Sequence, residues 1–275
     1  MKLGISYNLF DGEELLEASI NSVREEAFHV SVVYQTKSYY GNDANPKLLS
    51  LLSGLKRQGL IDEIYLYDVD FSKSPKHDYE RQKRDIGLTI AKKAGCSHFL
   101  SMDVDEFYDK NQLRSAKNYI VKKRIENSAV SIVEYLKKPE YKLLNGYTFE
   151  PVSPYNFYVP FIMKINKFFS QKHNCKWYPC LVDPSRALNN KDKFYLFPIQ
   201  DVVMHHMSTV RADLYKKYAN SNLNMGDEKT KKLVQEIKND VLNWDFEKNR
   251  LGNSNYATFR NKLVEKVDNR FNISL

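Results

Sequence analysis

Hydrophobic and polar positions switch between a period near two and a period near 3.6 along the first half of the chain. Leu3–Tyr7 is a short apolar run ending in the turn-forming stretch Asn8-Leu9-Phe10-Asp11-Gly12. Glu13–Ala27 then places Leu16, Ile20, Val23 and Ala27 at helical spacing, with Glu13 and Glu14 at the end where the helix dipole favours acids. Val30–Tyr34 is β-branched and reads as a strand. The alternation continues with a helix over Pro46–Gln58 stopped by Gly59, a strand over Glu63–Tyr67, a helix over Asp78–Ala94 closed by Gly95, and a strand over Ser97–Met102. Strand, helix, strand repeated in this way predicts an α/β fold with a mostly parallel, Rossmann-like sheet flanked by helices.

Beyond residue 110 the pattern predicts a helix over Asn111–Glu126 and strands over Ala129–Tyr135, Val159–Ile165 and Val202–Met204. Tyr147–Tyr158 is rich in tyrosine, and Phe168–Gln200 alternates short aromatic segments with turns and takes no assignment. Ala212–Ala219 and Thr230–Trp244 are helical, so the C-terminal region is expected to be mainly helical. No repeat, low-complexity tract or linker interrupts the chain.

The chemistry is concentrated in His98-Phe99-Leu100-Ser101-Met102-Asp103-Val104-Asp105-Glu106-Phe107, where an apolar run leads into three carboxylates in four positions. In an extended strand alternate side chains share a face, so Asp103 and Asp105 are expected to point the same way. Like charges that close raise one another's pKa unless a cation lies between them. The economical cation is a divalent metal holding a polyphosphate leaving group, and carboxylate, water and phosphate oxygens suit Mn2+ or Mg2+. The cluster also lies at the C-terminal end of a predicted parallel strand, where open α/β sheets bind ligands. A helix cap at Asp105 or Asp109 would account for one of these acids but not for all.

Other candidates surround this strand end. His205 and His206 follow the last predicted strand, and adjacent strand residues face opposite ways, so one of them, His206 by preference, would join the aspartates on the metal. Arg81 and Arg84 lie three apart on a helix that feeds the acidic strand and could hold phosphate, with Arg186 and Arg211 as weaker candidates. Tyr7, Tyr34 and Gln35 stand at the ends of the first two strands, where a nucleotide would lie; Gln35 could read a base edge and Tyr34 could stack. Glu134 and Asp183 are the candidates for the general base that deprotonates an acceptor hydroxyl.

Composition adds little more. Forty-two basic against 34 acidic residues give a formal charge of +8, which suits an anionic substrate or an anionic membrane face. The basic residues are scattered rather than gathered with aromatics, which argues against nucleic acid. Cys96, Cys175 and Cys180 are odd in number and lack structural-zinc spacing, which favours a reducing compartment. The N-terminal apolar run is too short for a secretion signal, and no stretch is long enough to span a membrane, so a cytoplasmic location with peripheral contact at the inner membrane face is expected.

Ile5–Gln35 and Arg81–Phe107 together resemble glycosyltransferases of the GT-A fold, in particular the inverting family-2-like group. Asp103-Val104-Asp105 matches the Asp-X-Asp motif that holds a divalent metal on the donor diphosphate in that group. Met204-His205-His206-Met207-Ser208 resembles the late histidine segment that completes the metal shell. The resemblance implies a GT-A catalytic domain over residues 1–210, with 1–110 as the nucleotide-sugar half and 111–210 as the acceptor half, and a helical extension over 211–275. It also implies transfer of a sugar from a nucleoside diphosphate donor, UDP favoured, to a glycan or lipid-linked hydroxyl, as in polysaccharide biosynthesis. Where the family carries an early aspartate for uracil, this chain has Tyr34-Gln35-Thr36, and it lacks the usual Glu-Asp base pair. A sugar-phosphate nucleotidyltransferase would need a glycine-rich loop after the first strand, where only Gly12 stands; a non-catalytic carbohydrate-binding protein would give no role to the clustered acids.

Overall fold

The computed structural model describes residues 1–39, 41–70, 76–144, 158–166, 172–173, 184–188, 193–220, 228–252 and 262–275. In chain order the elements are β1 (Leu3–Leu9), α1 (Glu13–Val23), β2 (His29–Tyr34), α2 (Leu48–Arg57), β3 (Glu63–Leu66), α3 (Lys76–Lys93), β4 (His98–Asp103), β5 (Glu106–Tyr108), α4 (Lys110–Lys123) and β6 (Asn127–Glu134). They continue with β7 (Tyr141–Leu143), β8 (Tyr158–Lys164), β9 (Phe194–Leu196), β10 (Val203–His206), α5 (Leu214–Ala219), α6 (Glu228–Asn243), β11 (Leu251–Gly252) and β12 (Lys262–Lys266).

The main sheet runs β3-β2-β1-β4-β8-β6-β10-β5, with β9 also on β6. β3, β2, β1 and β4 are parallel, β8 runs antiparallel between β4 and β6, and β10 returns parallel to β6. This is the mostly parallel, helix-flanked sheet of a GT-A or Rossmann-like fold. Its centre is the apolar β1, whose Leu3, Ile5, Tyr7 and Leu9 are fully or almost fully buried. Each such side chain contributes roughly 1.5–3 kcal/mol relative to exposure. On one helix, α1, the buried Leu16, Ile20 and Val23 repeat at the predicted spacing.

α3 crosses β1 closely at Gly87, where any added Cβ would collide with Ser6. That approach sets the first turns of α3 over the C-terminal ends of β1 and β4. α4 begins at Asp109, whose side chain accepts from the backbone N–H of Asn111 and Gln112 at 2.9 and 3.1 Å, so the cap is Asp109 rather than Asp105.

The C-terminal region contains the expected helices α5 and α6 but also strands. β12 pairs antiparallel with β11 and with β7, Val264 opposite Leu143, in a three-stranded sheet. Leu136, Leu143, Leu214, Val241, Trp244, Phe246 and Val264 form its own core. Among the described residues no helix is long and apolar enough to cross a membrane.

Candidate active site

The acidic residues sit where β4 ends. Asp103 is the last residue of β4, paired with Asn8 of β1; Val104 and Asp105 form a turn, and Glu106 opens β5. The turn, not the pleat of a continuous strand, therefore brings the two aspartates to one cavity. They are held differently. Asp103 Oδ2 accepts from Arg186 at 2.8 Å and from Arg84 at 3.3 Å. The Asp103 N–H donates to Glu106 Oε2 at 3.0 Å. Glu106 itself is buried and grips Arg186 through both oxygens, at 2.5 and 2.6 Å. It is an anchor for the turn rather than a ligand.

Asp105 is 3% exposed. Its Oδ2 accepts from Arg211 at 2.5 Å and from Lys217 at 2.8 Å, while Oδ1 faces His206 Nε2 at 3.9 Å. Burial alone would raise its pKa, but Lys217, Arg211 and His206 outweigh burial and hold the carboxyl well below its ordinary range.

The two histidines separate as strand alternation requires. His205 turns into the core, where the Tyr135 hydroxyl meets Nδ1 at 2.8 Å and the Phe271 ring lies 5.1 Å away. Burial, aided by Arg270 and Lys142, pushes its pKa down to about 3, so it is a neutral core residue and not a metal ligand. His206 faces the cavity, with Nδ1 donating to Glu134 Oε1 at 2.9 Å. Burial would lower its pKa, yet Glu134, Asp105 and Glu106 together push it up to about 9. The carboxylates of Glu134, Asp105 and Glu106 thus favour positive charge at this ring. Glu134 is thus committed to His206 and does not stand as a base facing an acceptor.

These residues fit a divalent cation. Asp105 Oδ1 and His206 Nε2 face one another beyond hydrogen-bond range, and a carboxylate behind the other imidazole nitrogen is the usual support for a metal-binding histidine. Among the described residues no three His, Cys, Asp or Glu side chains converge as a complete cage. Two protein donors with water and phosphate oxygens filling the remainder is the coordination that Mg2+ and Mn2+ favour with nucleotides.

The cavity has a volume of about 280 Å3, and Lys83, Arg211 and Lys217 line it together with the acids Asp11, Glu80, Asp103 and Asp105. Lys83 lines it, 3% exposed, donating to the Leu9 carbonyl at 3.2 Å. Burial lowers its pKa to about 8 against the pull of Asp103 and Glu80. Sequence inspection favours its neighbours on the helix, but Arg84 is fully buried on Ser101, Glu80 and Asp103, and neither it nor the half-buried Arg81 lines this cavity. Arg84 therefore supports Asp103 instead of meeting phosphate. Arg186 is likewise spent on Glu106 and Asp103. Arg211 does line the cavity, its guanidinium pressed on the backbone of Gly12 so that a Cβ there, at a φ of +78°, would collide with it.

Asn8, Gln35 and Tyr39 line the same cavity. Both amide atoms of Asn8 and Oε1 of Gln35 are buried without a hydrogen-bond partner among the described residues, while Gln35 Nε2 donates to the Lys37 carbonyl at 2.7 Å. Buried polar atoms are normally hydrogen-bonded, so these open amide atoms in a cavity wall are available to a bound molecule. Asn8 carried no signal in the sequence beyond its place at a strand end. Tyr7 belongs to the core, its hydroxyl 3.1 Å from Ser19 Oγ, and Tyr34 lines a separate cavity with Pro46 and Leu48. Asp183, the tyrosine-rich residues 147–157, Cys175 and Cys180 lie outside the described residues.

No protein-family model matches the chain, and no curated protein sequence matches it. Among solved structures, S. aureus TarS is 13% identical with a TM-score of 0.48 over 87% of this chain and 43% of that one. S. aureus TarS 1–349 is 13% identical at a TM-score of 0.42, covering 91% of this chain and 73% of that one. The same fragment in complex with UDP is 12% identical at 0.41, covering 87% and 71%. The chain thus spans less than half of the longer TarS chain. Likeness at this level carries neither family nor function, and the fold rests on the strand order described above.

Proposed function

We propose that this chain transfers a sugar from a nucleoside diphosphate donor, UDP favoured, to a hydroxyl of a glycan or lipid-linked acceptor, with inversion at the sugar. The observation that carries the reading is the meeting, at the C-terminal ends of β1, β4 and β10, of Asp105 and His206 with the cations Lys83, Arg211 and Lys217 in one cavity. A divalent cation and a pyrophosphate are a pair of opposite charges that suits this mixed acidic and basic lining.

In this account Asp105 and His206 hold Mn2+ or Mg2+, with Asp103 beside them. The bound ion would supply charge stabilisation to the departing diphosphate. The protein's own groups do the rest. Lys83, Arg211 and Lys217 donate to phosphate oxygens, the preorganised electrostatic support that a leaving diphosphate needs. Glu134 holds the His206 ring in orientation. Asn8 and Gln35 offer amide donors and acceptors to a base edge, with Tyr39 as a stacking face. Inversion requires a base opposite the leaving group, and with Glu134 spent on His206 that role falls to Asp183. Residues 1–110 would hold the donor and 111–210 the acceptor, while 211–275 also contributes to the donor site through Arg211 and Lys217.

A screen of nucleotide-sugars for donor turnover, with Mn2+ and with a chelator, tests the reading. Turnover of at least one donor that requires metal and is lost in Asp105→Asn supports it. Turnover indifferent to both contradicts it.

A further inference from the structure

We propose that Lys217 is the resident counter-cation of Asp105, which a divalent cation must displace and which then turns to the anion that accompanies that cation. The inference rests on the donor-site reading above. A carboxylate as buried as Asp105 is costly unless its charge is met. Its Oδ2 is met twice, by Arg211 at 2.5 Å and Lys217 at 2.8 Å, while Oδ1 only faces His206 Nε2 at 3.9 Å.

The two cations on Oδ2 are not equivalent. The Arg211 side chain is 3% exposed and wedged against Gly12, so it is fixed. The Lys217 side chain is 27% exposed, reaches Asp105 from the six-residue α5, and lines both the 280 Å3 cavity and an adjoining one of about 220 Å3. A compact ammonium on a flexible four-carbon stem can swing, which a wedged guanidinium cannot.

Charge then dictates the order of events. Arg211 and Lys217 already meet the charge of Asp105, so a dication entering alone competes with them. It binds well only if Lys217 withdraws from Oδ2 and an anion draws that ammonium away. Cation and diphosphate therefore bind with positive coupling, and Lys217 carries part of it, reciprocally for both ligands.

The test is Mn2+ binding to the whole protein, followed by the electron paramagnetic resonance of unbound ion, with and without uridine diphosphate, for wild type, Lys217→Met, Lys217→Arg and Asp105→Asn. Lys217→Met should bind Mn2+ roughly fivefold more tightly than wild type without nucleotide, the scale of one partly exposed ion pair. It should bind uridine diphosphate with Mn2+ more weakly than wild type does, and Lys217→Arg should restore wild-type values in both. Unchanged or weaker Mn2+ affinity in Lys217→Met, while wild type still binds Mn2+ and nucleotide together, overturns the role of Lys217 alone. Absence of Mn2+ and nucleotide binding in every protein, wild type included, overturns the donor-site reading with it.

Discussion

Glu134 and His206 stand opposite one another in the parallel register of β6 and β10, with Oε1 2.9 Å from Nδ1. The pairing fixes which imidazole nitrogen enters the cavity. It also fixes a pH dependence, because the raised pKa of His206 stems from Glu134, Asp105 and Glu106 against the opposing effect of burial.

The folded-state pKa of about 9 lies above the ordinary 6.5, so the stability that this proton brings is complete below pH 6.5 and lost as pH rises through 9. With its partial exposure discounted, the loss is about 2 kcal/mol. Denaturant unfolding of the metal-free protein at pH 6 and pH 9 should show the loss in wild type and a much smaller one in Glu134→Gln. Equal losses in both would separate His206 from Glu134.

The anchor on the acidic turn makes a second expectation. Glu106→Gln leaves the Arg186 guanidinium buried with half its partner gone, and should cost about 3 kcal/mol in stability. Replacing both residues, as Glu106→Gln with Arg186→Met, should cost less than the sum of the two single changes in a double-mutant cycle. Additive costs would mean that the pair does not act as a unit.

On the proposed function, Lys83 gives the donor site a basic limb. Burial holds its pKa near 8, so the ammonium is present below that pH and lost above it. The affinity for uridine diphosphate, measured by calorimetry from pH 7 to pH 9.5, should fall about tenfold, the worth of one charge-assisted hydrogen bond. Lys83→Met should begin weak and show less decline. A wild-type affinity flat across this range would remove Lys83 from the phosphate site.

Asn8 separates binding from stability. Its amide makes no hydrogen bond among the described residues, so Asn8→Ala should change unfolding by no more than about 0.5 kcal/mol. The same change should weaken nucleotide binding and blur discrimination between uridine and other bases. A large stability loss with unchanged base preference would make Asn8 a structural residue.

Much of this was legible in the chain. The alternation from Leu3 to Met102 reports β1 through β4 and their helices, because a strand covered on both faces and a helix covered on one leave distinct periods. Strand alternation also told that His205 and His206 part company. The misses share a cause. β5, β7 and β9 have three residues each, too few to express a period, and β12 gains its place from pairing with β7 far back in the chain. The sequence makes Asp103 and Asp105 neighbours on a pleat, but the backbone turns between them. Arg84, Arg186 and Glu134 carry charges that suit catalysis, and only tertiary packing reveals that each is turned to a neighbouring side chain. Helix position alone does not tell which of several cations faces the cavity, so the sequence does not single out Lys83 or Lys217.

On the proposed function, the tip of β4 and the end of β10 share a divalent cation with a donor diphosphate. Manganese-dependent turnover of the donor found by screening, compared between wild type and His206→Ala over a titration of the metal, tests it most directly. The account expects wild-type activity to saturate with manganese and His206→Ala to require at least tenfold more metal for its residual rate, one lost ligand-shell contribution. Identical metal dependence in the two proteins, or activity in neither metal-replete nor chelated wild type with any nucleotide-sugar, would contradict it.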